Sequence, residues 1–156
     1  LFSMNNSLSY KGFELSVFLQ GIAGNKIYNA NNIDNTGMAA AYNQTTDVLK
    51  RWQGEGTSNS MPRAVFGDPN QNTRVSDRFV ENGSYLRLKN ITLSYTFPKQ
   101  WLQKAQIENA RLSLSCENVA TITGYSGFDP EVGINGIDQN RYPISRTFSL
   151  GLNFNF

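Results

Sequence analysis

The stretch Arg146-Thr147-Phe148-Ser149-Leu150-Gly151-Leu152-Asn153-Phe154-Asn155-Phe156 alternates large apolar with small polar side chains without a break. Side chains of a strand point alternately to opposite faces. Phe148, Leu150, Leu152, Phe154 and Phe156 therefore share one side, and Thr147, Ser149, Gly151, Asn153 and Asn155 the other. A soluble sandwich tolerates such a strand. Three phenylalanines and two leucines in nine residues with no charged tail nevertheless suit a strand with hydrocarbon on one side and water on the other. A spanning β-strand needs about 9 to 11 residues of this dyad pattern, with an aromatic group at the membrane boundary. The pattern predicts an outer-membrane β-barrel.

Composition narrows the choice further. No apolar run reaches the roughly 20 residues of a spanning helix, so any crossing is by strands. Only 17% of residues are charged, while Asn, Ser, Gln, Thr and Gly abound, as suits an uncharged lumen and polar loops. A net charge of +2 gives no reason to expect nucleic acid. One cysteine, Cys116, and no histidine exclude a disulfide framework, a Cys/His metal site and a Ser-His triad. No enzymatic activity, cofactor or metal is expected. Leu1-Phe2-Ser3 carries neither the basic nor the apolar region of a secretory signal, which leads us to expect a mature or truncated piece of a longer chain.

Alternation recurs along the chain and predicts strands over about 2–10, 13–20, 84–97, 110–118 and 146–156. Lys11-Gly12 makes a very short hairpin connection, glycine supplying the positive φ of a tight turn. Pro98 ends the third strand because it has no N–H to donate. A single helical turn carrying Trp101 and Leu102 should follow it. Between the second and third strands, Ala39, Ala40, Ala41, Tyr42, Val48, Leu49 and Trp52 recur at roughly helical spacing. They predict a short helix over 38–52, capped by Thr36. The connections alternate short and long, as do periplasmic turns and extracellular loops in outer-membrane barrels. On that rule 10–13 and 98–109 are periplasmic, while 21–83 and 119–143 face outside. Five strands cannot close a barrel, since the smallest have about eight.

Several stretches resemble one family in order along the chain. Asn82-Gly83-Ser84-Tyr85-Leu86-Arg87-Leu88-Lys89-Asn90-Ile91-Thr92-Leu93-Ser94-Tyr95 resembles a stretch of the SusC/RagA-type TonB-dependent transporters of the Bacteroidetes outer membrane. Tyr10-Lys11-Gly12-Phe13, Gly24-Asn25-Lys26-Ile27-Tyr28-Asn29, and Arg51-Trp52 with Pro62-Arg63 are similar to its motifs. So are Glu117-Asn118, Thr121-Ile122-Thr123, Tyr125-Ser126-Gly127-Phe128-Asp129-Pro130-Glu131 and Tyr142-Pro143. Gln53-Gly54-Glu55 and Cys116 depart from the family pattern.

The resemblance implies an all-β chain, the C-terminal portion of a membrane β-barrel of about 22 strands plugged by an N-terminal domain. It further implies nutrient import at the cell outer membrane: oligosaccharide or peptide cargo, a SusD-like lipoprotein partner, and TonB acting through a plug that this sequence does not contain. The alternative function is a soluble carbohydrate-binding β-sandwich, expected to stay dissolved without detergent.

Candidate residues follow from these expectations. Phe148, Leu150, Leu152, Phe154 and Phe156 are expected to be a recognition signal for the barrel-assembly machinery as well as a row against the lipid bilayer. Trp52, Arg63, Tyr125, Asp129, Glu131, Asp138 and Arg141 lie in the predicted outer loops, where they could meet cargo or a lid protein. Sugars stack on aromatic rings and hydrogen-bond to planar polar groups, which suits Trp52 and Tyr125. The same loop residues could equally serve only to fold the loops, through Asx turns and ion pairs. Asp129, Glu131 and Asp138 offer oxygen ligands but lack the dense carboxylate spacing of a calcium loop.

Overall fold

Lys11 and Gly12 both adopt positive φ (46° and 87°), the conformation a two-residue hairpin turn requires if it is to match strand twist. The turn joins β1 (Phe2–Tyr10) to β2 (Phe13–Ile22) in antiparallel register, Tyr10 opposite Phe13 and Phe2 opposite Gly21. The computed structural model describes residues 1–156, all but the side chain of Ala105. They form two compact units.

The first unit comprises Leu1–Asn25, Gly83–Gly124 and Pro143–Phe156. Together with β5 (Tyr85–Thr96), β6 (Asn109–Thr123) and β8 (Thr147–Asn155), β1 and β2 make one antiparallel sheet in the order β1-β2-β5-β6-β8. Short connections join β1 to β2 and β5 to β6, the latter through α2 (Lys99–Leu102), a single turn that begins directly after Pro98. Rings gather at this end of the sheet. Phe13 packs on Tyr95 with centroids 4.5 Å apart, Tyr95 on Phe97 at 5.1 Å and Phe97 on Trp101 at 6.4 Å, as in the aromatic girdle at a membrane interface.

The strand expected over 110–118 runs on to Thr123. The alternation of β5 changes phase, whereas β6 keeps its even-numbered residues on one side throughout. Leu86 and Leu88 are even-numbered, whereas Ile91, Leu93 and Tyr95 are odd. A one-residue slip ordinarily turns every later side chain to the opposite face. Here the register shifts at Lys89, between Leu88 and Asn90, and on β6 between Glu117 and Ala120. Asn118 there adopts φ 53°. The paired irregularities cancel the phase change, so Leu86, Leu88, Ile91 and Leu93 share a side with Leu112, Leu114 and Ile122.

That side continues across the whole sheet, through Leu15 against Leu8, and Leu150 and Leu152 against Leu114 and Leu112. It is uncovered: Leu150 is 75% and Phe148 70% exposed. The opposite side carries Ser, Thr, Asn and Gln with a few charges.

The second unit comprises Lys26–Asn82 and Tyr125–Tyr142. Its centre is β3 (Lys26–Asn29), paired antiparallel with β4 (Val80–Asn82) and parallel with β7 (Ile137–Asp138). The core is small. Ile27 and Phe79 are fully buried, and Tyr28 meets Phe79 edge-on at 6.1 Å.

The helix expected over 38–52 does not form. An α-helix, α1 (Asn31–Asn35), precedes it, and only a 3₁₀ turn spans Thr46–Lys50. Met38 adopts φ 53°, while Tyr42 and Leu49 stay exposed. A short helix whose apolar face meets nothing does not repay its nucleation cost. Thr36, expected as its N-cap, instead closes the C-terminal end of α1, its Oγ1 donating to the Asn32 carbonyl at 2.6 Å.

Candidate functional site

In the sheet, the polar side is organised by pairing across β5. Arg111 Nη2 donates to Glu14 Oε2 at 2.8 Å, and the buried Arg87 donates through Nε to Thr121 Oγ1 at 2.9 Å. Charges placed this way on a hydrophilic wall are satisfied laterally, leaving Ser, Thr and Asn groups to meet water or another polar surface.

Phe148, Leu150, Leu152 and Phe154 stand in register with Cys116, Leu114, Leu112 and Ala110 on the uncovered apolar side. Phe156 follows at the end of β8 and is exposed.

In the loop unit, the candidates fall into two groups. Tyr125, Asp129, Glu131, Asp138 and Arg141 belong to the segment that returns alongside β3. The Tyr125 hydroxyl donates to Asp138 Oδ2 at 2.6 Å, and both residues are buried. Burial, and then the adjacent Asp138 carboxylate, push the Tyr125 phenol well above its ordinary value. Asp129, also buried, accepts the Glu131 N–H at 2.9 Å in an Asx turn. Arg141 donates through Nη1 to the Glu131 carbonyl and through its N–H to Asp138 Oδ1. These contacts fold the segment, and Tyr125 and Asp138 are closed to solvent. Among the described residues no three carboxylate, Cys or His groups gather into a metal-sized cluster.

Trp52 and Arg63 form the second group. The Trp52 N–H donates to the Met61 carbonyl at 3.1 Å, which folds the intervening loop back. The Arg63 guanidinium lies 6.0 Å from the Trp52 ring centre, within cation–π range.

Three further residues, none among the sequence candidates, organise the loop unit. Glu81 Oε1 accepts from Asn29 Nδ2 (2.9 Å), Asn32 Nδ2 (3.0 Å) and Ser126 Oγ (2.7 Å), and Oε2 accepts the Ser126 N–H (2.9 Å). Arg78 Nη2 donates to the carbonyl and Oγ1 of Thr36, and its Nη1 to the Asn72 carbonyl. Burial lowers the Arg78 pKa, although nearby Asp68 opposes the shift. Asp68 accepts from the N–H groups of Asn72 and Thr73 and from the Thr73 hydroxyl. Partial burial alone would raise the Asp68 pKa, but those hydrogen bonds outweigh it and hold the carboxyl below its usual value. The partners of Glu81 lie 45 to 52 residues away and Thr36 lies 42 from Arg78, so no local pattern marks these two, whereas Asp68 bonds only within its own turn.

No protein-family model matches the chain. The chain is 35% identical, over 97% of its length, to TonB-dependent receptor P3 of Formosa agariphila, and 32% identical over its full length to TonB-dependent receptor SusC of Bacteroides thetaiotaomicron. The chain belongs to the SusC/RagA family of TonB-dependent receptors. It spans 16% of the length of the first relative and 15% of the second. Among solved structures, the RagAB peptide importer in its "open-open" state superposes with a TM-score of 0.83 at 28% identity. That match covers 99% of this chain and 17% of the other. A further structure of the RagAB peptide transporter gives 0.81 at 30% identity. The five-stranded sheet is a segment of a larger β-barrel.

Proposed function

We propose that the chain forms part of the wall and outer face of an energy-coupled importer in the cell outer membrane, which takes up oligosaccharides or peptides together with a SusD-like surface lipoprotein. The single observation that carries this reading is the continuous apolar side of the sheet, from β1 through β8, which remains uncovered. Water would penalise such a face at about 25 cal/mol per Å² of apolar surface, whereas lipid does not. A backbone group left unpaired in hydrocarbon costs several kcal/mol. The edge strands β1 and β8 therefore pair with further strands of the same transporter. The relatives' names as receptors and the neighbours' titles as importers support the assignment; no chemistry is assigned to this segment.

On this reading the row from Phe148 to Phe156 faces lipid and presents the strand that the barrel-assembly machinery engages. The loop unit lies outside, where cargo and lid protein arrive. TonB acts through the plug. The sandwich alternative needs a second layer against the apolar rows, and their exposure leaves it without one. The test is made on the full-length transporter in its own cells. Outer-membrane fractionation should recover the protein, and its deletion should abolish proton-motive-force-dependent uptake of its cargo. Recovery in the soluble fraction without detergent would refute the reading.

A further inference from the structure

Residues 52–78 of the loop unit enclose an open cleft of about 660 Å³, within the roughly 300–1,000 Å³ of small-ligand sites. Its walls include Trp52, Arg63, Asn70, Asn72, Arg74 and Arg78, and no Asp or Glu lines it. Concentrating three guanidinium groups without a facing carboxylate is unusual in a chain whose net charge is only +2.

Arg78 is already committed, since its hydrogen bonds run to Thr36 and Asn72. The nearby acid, Asp68, is turned onto the N–H groups of its own turn. Arg63 and Arg74 remain. Both are exposed, and among the described residues neither has a carboxylate partner. Trp52, 37% exposed, supplies an aromatic surface beside Arg63.

We propose that this cleft binds an acidic sugar, a carboxylate- or sulfate-bearing unit of an oligosaccharide. Trp52 meets the C–H face of the ring, Arg63 and Arg74 take the anion, and the Asn70 and Asn72 amides take hydroxyls. Guanidinium groups match carboxylate and sulfate oxygens in paired, charge-assisted hydrogen bonds. An acidic peptide fits less well, because extended peptides are held by main-chain bonds from a free strand edge, and residues 52–76 contain no strand. The proposal rests on the loop unit being the outer surface of an importer, and it names the class of cargo met there.

The test is calorimetry on the purified full-length transporter with tetragalacturonate and a 4-sulfated neocarratetraose. Methyl-esterified tetragalacturonate, desulfated neocarratetraose and tetraglutamate are run beside them. At least one acidic sugar should bind about tenfold or more tightly than its neutral counterpart, and which one does so identifies the anion. Arg63→Gln and Arg74→Gln should each remove about tenfold of that affinity, while Trp52→Ala weakens charged and neutral sugars alike. A salt titration of the unmutated protein gives an independent measure, since only the acidic sugar should lose affinity as ionic strength rises. Equal binding of acidic and neutral sugars, or indifference to both arginines, overturns the proposal. Tetraglutamate binding with the same arginine dependence overturns the sugar assignment in favour of peptide. Fractionation and uptake are read separately: uptake that survives deletion of the gene, with cleft binding intact in the purified protein, counts against the import reading alone.

Discussion

Removing the Glu81 carboxylate should unfasten the loop unit while leaving the sheet alone. Four hydrogen bonds end on this side chain, from Asn29, Asn32, and both the hydroxyl and the N–H of Ser126. In Glu81→Ala the exposed Ser126 and the half-buried Asn32 can turn to water, so their loss costs little. Asn29 cannot, being 2% exposed. Its amide nitrogen would keep only the longer bond to Ser126 Oγ at 3.2 Å, and its Oδ1 is already buried without a partner. An unpaired buried donor costs about 1–3 kcal/mol and each lost net hydrogen bond about 0.5–1.5 kcal/mol, for a total of about 3 kcal/mol. At about 1.4 kcal/mol per factor of ten, that is a roughly hundredfold rise in the opening equilibrium.

The assay is amide hydrogen exchange on the full-length protein. The reporters are the N–H of Tyr28, bonded to the Gly136 carbonyl, and that of Ala30, bonded to the Asp138 carbonyl. Both should exchange about a hundred times faster, while the ladder amides of β5 and β6 keep their rates. Glu81→Gln retains one acceptor oxygen and should show a smaller acceleration. Unchanged exchange at Tyr28 and Ala30, or equal acceleration in β5, would refute the assignment of Glu81 as the loop unit's fastening.

Three further outcomes are expected. Asn118→Val should lower the barrel's unfolding temperature in detergent, because a branched side chain at φ 53° costs about 1–2 kcal/mol, whereas Asn118→Gly, which gives up only the exposed bond from Nδ2 to the Ser145 carbonyl, should lower it less. Leu150→Arg near the middle of β8 should cost about 2–4 kcal/mol and reduce the amount of folded protein recovered in the outer-membrane fraction, whereas Ser149→Arg on the polar side should reduce it less. Tyr125→Phe strips the buried Asp138 of a donor and should cost about 1–3 kcal/mol, measured as faster proteolysis of 125–142. In the unmutated protein the raised Tyr125 pKa means that its contribution is fully present below the unfolded value of about 10 and is lost as pH climbs toward the higher folded value. Proteolysis of the same segment should therefore quicken above about pH 10.

The sheet was legible because amphipathic strands carry their fold in a local code. The period of two in Phe148–Phe156, the Lys11-Gly12 turn and the stop at Pro98 each act over a few residues. Legibility ended where pairing became non-local. The phase change at Lys89 looks like a flaw in β5 until β6 answers it at Asn118. The spacing of Ala39 to Trp52 satisfies a helix on paper, yet no surface covers its apolar face.

Among the candidate residues, type and place were readable, but burial was not. Tyr125 and Asp138 suggest a polar surface, but they bury each other in a hydrogen bond, while Glu81, a lone acid beside Asn82-Gly83, holds two distant loops together. Alternation by itself settled that these strands have one oily and one wet side, since strand geometry alone assigns faces. Only the folded chain decided which loop groups stay free for a partner, because a side chain's exposure depends on what sequence-distant residues bring against it.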